Sequence, residues 1–99
     1  MITVLRNKDN REEPLSNGGS QIVMPFDPIN IKIVKYPSGA EIPRHKHNVE
    51  AFHYVIKGRI RNAETKEELS ATEKYKCGGF EYGPWLVLED VEMMVIEPK

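Results

Sequence analysis

The chain has a single cysteine, Cys77, which leaves no internal disulfide and no need for an oxidising compartment. A strong excess of charge of either sign is also missing. Fourteen Lys and Arg stand against 15 Asp and Glu, a formal net charge of −1. Without a basic excess there is no electrostatic footprint for nucleic acid or for an anionic membrane surface. Long hydrophobic runs are absent too. Residues 1–5 are mostly apolar, but Arg6, Lys8 and Asp9 close that run short of a signal-peptide core. No stretch nears the roughly 20 apolar residues of a membrane helix. Internal repeats and low-complexity segments are lacking. The expected setting is the cytoplasm, with neither nucleic acid nor membrane as partner and no nucleotide cofactor.

What is present fits one ordinary globular domain: 99 residues, 39% hydrophobic and 29% charged. A chain of this size buries roughly 60–70% of its unfolded surface, enough for one core. Residues 1–20 pair a short apolar start with a polar stretch holding Pro14, Gly18 and Gly19, and read as an N-terminal arm, mobile or packed on a partner. Residues 21–99 form the domain proper.

Within it, Ile29-Asn30-Ile31-Lys32-Ile33 alternates apolar and polar, the period-2 signature of a half-buried strand. Pro37-Ser38-Gly39 is a turn, and Pro43 disfavours helix just before His45. Residues 51–57, rich in aromatic and β-branched side chains, and residues 59–63 predict a hairpin about Lys57-Gly58. Residues 64–73 have helix-forming composition without an apolar face and read as a turn or single helical turn. Residues 80–82 form a short strand between Gly78-Gly79 and Gly83-Pro84. Residues 85–88 and 91–96 predict a last hairpin about Glu89-Asp90. Seven or eight short strands without a long helix indicate an all-β sandwich or small barrel.

All three histidines, His45, His47 and His53, fall within nine positions. Side chains at i and i+2 of a strand share a face, so His45 and His47 can offer two imidazoles to one metal. The plainer reading of that pair is a polar strand facing solvent. His53, set among apolar residues, also reads as a hydrogen-bonded core or pocket histidine. Glu50 and Lys46 are simplest as solvated side chains, and Cys77 as a small buried filler.

Gly39, His45-Lys46-His47 and Gly58 at their spacing resemble the first motif of the cupin superfamily. Tyr54-Val55-Ile56-Lys57-Gly58 is similar to the stretch that closes it. Gly78 and Pro84, with Gly79-Phe80-Glu81-Tyr82 between them, resemble the second motif. The resemblance covers residues 39–89 and implies a small jelly-roll β-barrel with a metal or small-molecule site inside. It implies a divalent transition metal (Fe, Ni, Mn or Zn) on His45 and His47. The family's usual glutamate falls where this chain has Ala51 and Phe52, and its second-motif histidine falls at Glu89, with Leu86 at an expected glycine. Glu50 is one residue early and turns outward unless a bulge forms about Asn48-Val49. His53, sharing the inward face with Ala51, and Glu89 are the candidate replacements, although Glu89-Asp90 also reads as an exposed turn. Two histidines and one carboxylate suit non-haem Fe(II). Ala51, Val55, Tyr82 and Trp85 are the candidate pocket-lining residues.

By the same resemblance, short single-domain relatives include Fe(II) dioxygenases that cleave small ketones or diketones. His45-Lys46-His47 followed by Tyr54-Val55-Ile56-Lys57-Gly58 also looks like the cupin domain of zinc-binding anti-sigma proteins. The implied function is a metal-dependent cupin acting on a small molecule, dioxygenase-like or isomerase-like. The alternatives are a non-catalytic ligand-binding or regulatory cupin with a degenerate metal site, and a purely structural domain. With Ala51, His53 and Val55 inward, Phe52, Tyr54 and Ile56 form an apolar outer face, and residues 91–96 are apolar on both faces. Such faces need cover from the arm or from a second subunit, so a homodimer is expected.

Overall fold

A computed structural model describes residues 1–46, 50–77 and 81–99, with residues 7, 45, 46, 77, 81 and 82 described by backbone alone. His47 lies outside the described residues. The strands are β1 (Arg11–Pro14), β2 (Ser20–Phe26), β3 (Ile29–Tyr36), β4 (Glu41–Ile42), β5 (His45–Lys46), β6 (Ala51–Asn62), β7 (Glu68–Ser70), β8 (Lys74–Cys77), β9 (Glu81–Tyr82) and β10 (Trp85–Pro98). The main sheet runs β1-β2-β3-β10-β6-β7, with β4 on β10 and β8 on β6, and β5 pairs with β9 in a second, small sheet. Among the described residues, helix is confined to short 3₁₀ turns, Asn7–Asp9 and Ser16–Gly18. No helix among the described residues is long and apolar enough to cross a membrane. The all-β expectation holds.

Two expected hairpins are long bent strands. β6 runs unbroken for 12 residues through Gly58, and β10 for 14 residues through Glu89 and Asp90. Their pairing slips at Val87/Glu89, Glu89/Glu92 and Glu92/Met93. Gly58 sits there at φ +92°, and a Cβ on it would stand 2.7 Å from Val91 Cα and 2.8 Å from the Asp90 carbonyl carbon. Glycine and acidic residues that look like turn formers instead bend two paired strands through a bulge. The bend lets β10 pair with β3 over Val91–Pro98 and with β4 at Trp85 and Leu86.

Residues 64–73 hold a turn and then β7 rather than a helical turn. Buried Asn62 sets that turn, its Oδ1 accepting from the Glu64 and Thr65 amides at 2.9 and 3.0 Å. Arg11–Pro14, within the segment read as an arm, pairs with β2 at the sheet edge. Proline and charge are tolerated there because, among the described residues, no strand pairs with its other side.

Register divides the sheet into two faces. Lys32, Val95, His53 and Tyr75 stand opposite one another across β3, β10, β6 and β8. Val34, Met93 and Val55 form the next inward row. Ala51, His53 and Val55 are all buried, as the alternation predicts. Fully burying Val55 and Ile60 stabilises the fold by about 1.5–3 kcal/mol each. The outward rows are Ile22, Ile33, Met94 and Tyr54, and Met24, Ile31, Ile96 and Phe52.

Candidate functional site

The inward face of β3, β10 and β6 forms one wall of a cavity of about 400 Å³. β3 contributes Lys32, Val34 and Tyr36; β10 contributes Trp85, Met93, Val95 and Glu97; β6 and β8 contribute His53 and Tyr75. Leu15, Gln21, Ile42 and Pro43 complete the lining.

One side is a stack of rings. His53 lies 4.3 Å from Tyr75, centroid to centroid and 9° from parallel, and Tyr75 lies 5.2 Å from Trp85 at 29°. The stack follows from pairing, since Tyr75 of β8 stands directly opposite His53 of β6. Trp85 enters from the start of β10, opposite Ile42 and Asn62.

The other side is polar. Lys32 Nζ meets Glu97 Oε1 at 2.5 Å, with side chains only 26% and 17% exposed. Gln21 Nε2 donates to Glu13 Oε2 at 2.8 Å. Tyr36 is buried, and that burial pushes its phenol above the ordinary tyrosine range. It therefore stays protonated, a donor as well as an acceptor, at neutral pH.

Neither a protein-family model nor a curated relative matches the sequence. Solved structures do match. An RmlC-like cupin protein from Ralstonia eutropha superposes with a TM-score of 0.78 at 21% identity, over 99% of this chain and 69% of its own. KdgF from Halomonas sp. gives 0.77 at 17% identity, over 100% of this chain and 96% of its own. An acetylacetone dioxygenase from Acinetobacter johnsonii gives 0.73 at 12% identity, over 99% and 73%. This chain has the cupin fold.

Within this cupin barrel, His53 and Trp85 line the cavity together. Ala51 and Val55 share the inward face but belong to the packed core. His45 lies in β5, its backbone opposite Tyr82 in β9. Glu89 sits in the β10 bulge with its side chain 61% exposed, 3.9 Å from Arg59. The bulge turns it to solvent, away from His53. Glu50 is likewise on the surface, 3.0 Å from Lys76.

Against a divalent metal, the described residues do not make a ligand set: no three His, Cys, Asp or Glu among them converge. Ala51 brings no donor, and the Glu97 carboxylate is engaged by Lys32. Sequence reading missed Lys32, Glu97, Tyr36 and Tyr75. Alternation in Ile29-Asn30-Ile31-Lys32-Ile33 marks a half-buried strand without saying which face is buried, and register puts Lys32 inward and Ile31 and Ile33 outward. The signal was the parity Lys32 shares with Val34 and Tyr36, both buried.

Proposed function

We propose that this cupin domain binds a small organic molecule in the cavity between the His53–Tyr75–Trp85 stack and the Lys32–Glu97 pair. The observation that carries the reading is the cavity itself: about 400 Å³, mostly apolar, with a few polar groups on one side. Small-molecule sites have that size and that division of labour. Trp85 is the chain's one tryptophan, so its fluorescence reports the cavity directly. Titration with toluene, a bare ring that tests the apolar wall, is expected to change Trp85 emission saturably. An unchanged spectrum up to the solubility limit overturns the reading.

A second reading adds a transition metal (Fe, Ni, Mn or Zn) held by His45, His47 and His53, with dioxygenase-like chemistry. It is supported by His53 on the inward face, 5% exposed, and by the fold shared with an acetylacetone dioxygenase. Elemental analysis of protein purified without chelator, beside a His45→Ala/His47→Ala variant, decides it. Near-stoichiometric metal that vanishes in the variant supports this reading. Metal-free wild type after reconstitution, or metal retained in the variant, removes it.

We also propose a homodimer through the outer face of the main sheet. Its two apolar rows end in Glu12 beside Ile22 at one edge, and in Lys74 and Lys76 beside Tyr54 and Phe52 at the other. A two-fold axis lying between two such faces, parallel to the strands, sets the acidic edge of one copy against the lysine edge of the other. Light scattering at micromolar concentration is expected to give a dimer, and Tyr54→Lys/Met94→Lys a monomer. A wild-type monomer contradicts the assignment.

A further inference from the structure

Resting on the cavity reading above, we propose that the Lys32–Glu97 pair selects the ligand, and that the ligand is a neutral planar ring carrying a carboxamide-type group. The fold has no evident need of the pair. It lies on the inward face, about three-quarters or more buried, among neighbours Val95, Val34 and Met93 that are apolar. Taking two charges out of water is costly, and apolar replacements of similar volume often match or exceed the stability of such pairs. The place where the charges are kept is the wall of the cavity.

Position sets the ligand's length. Lys32 and His53 both stand opposite Val95, on its two sides. Strands are spaced about 4.8 Å apart, so the lysine and imidazole positions lie roughly 10 Å apart across the wall. Glu97 is two residues from Val95 on the same strand and face. One ring resting on the aromatic stack, with one short substituent, fits that span.

Valence and charge set the substituent. An ammonium has three donors and a carboxylate about four acceptor sites, so one contact between them leaves both unsaturated. The pair is neutral as a whole. A ligand carboxylate gains at Lys32 and is repelled by Glu97; a ligand ammonium meets the reverse. A carboxamide sets an acceptor beside a donor, so its oxygen can accept from Lys32 while its N–H donates to Glu97, with no like charges facing. Its planarity extends the ring that stacks on the aromatic wall.

The test is a series followed through Trp85 fluorescence at neutral pH: benzamide, benzoate, benzylamine, cyclohexanecarboxamide and toluene. Benzamide is expected to bind at least tenfold more tightly than benzoate and benzylamine, and several-fold more tightly than cyclohexanecarboxamide. A Lys32→Met/Glu97→Leu variant is expected to melt at or above the wild-type temperature, to lose at least tenfold in benzamide affinity and to keep toluene. Benzoate or benzylamine binding as well as benzamide overturns the assignment while leaving the cavity reading intact, as does a double variant that keeps the benzamide preference. Failure of every probe, toluene included, overturns the cavity reading itself. Each single variant strands one charge in the wall, so the double variant separates recognition from folding.

Discussion

Gly58→Ala is expected to cost this cupin-fold domain about 3 kcal/mol or more. Two costs add. At φ +92° the backbone is in a region that an L side chain enters at about 1–3 kcal/mol. The new methyl also runs into the Asp90 carbonyl oxygen and stands 2.7 Å from Val91 Cα. Both obstacles are main chain, so no rotamer change relieves them, and overpacking of this kind typically costs a further 1–3 kcal/mol. The strain falls where β6 and β10 change register, the most extensive contact in the fold. In a domain this small, 1 kcal/mol moves the melting temperature by about 4–8 °C, so a fall of at least about 12 °C is expected. Gly39→Ala is the control. Its φ is +85°, but nothing lies within 4 Å of the added methyl, leaving the conformational cost alone. Equal melting shifts for the two variants would show that the close approach at Gly58 is unimportant.

Val95→Phe is expected to abolish binding of single-ring ligands, a loss above a hundredfold, while leaving the domain folded. Val95 stands between Lys32 and His53, in the middle of the span a ligand would occupy. Its neighbours in the cavity leave about 400 Å³, so an added ring has space to enter without displacing the packed core. The expected stability change is within about 1–3 kcal/mol, the usual range for enlarging an interior side chain. The measurement pairs a thermal melt with the Trp85 toluene titration. Unchanged affinity in a folded Val95→Phe protein would place the ligand elsewhere.

Much of this was legible in the sequence, for identifiable reasons. Ala51, His53 and Val55 fall on one face because β periodicity is 2 and the intervening Phe52, Tyr54 and Ile56 cannot share it. His53 was therefore recognisable as an inward imidazole, and Trp85 as a residue at the pocket. Bulges were not recognisable. A glycine at positive φ serves a hairpin turn and a bulge equally well, and only the opposing backbone of Asp90 and Val91 distinguishes them at Gly58. The same ambiguity made Glu89-Asp90 read as a loop inside what is one continuous strand. Lys32 was hidden because a local alternation fixes two faces without saying which is buried; pairing with Val95 fixes that, and Val95 is far along the chain. Glu97 and Tyr75 join the site for the same reason, through long-range partners that no local pattern records.

A small planar molecule is proposed to sit on the inward face of β3, β10 and β6. A two-dimensional NMR titration of the isotope-labelled protein with benzamide tests it most directly. The expected shifts are at the Trp85 indole N–H and the Val34 and Val95 methyls, with Ile31 and Ile33, their neighbours on the opposite face, unmoved. Shifts confined to the isoleucines, or none up to the solubility limit of benzamide, would contradict that placement.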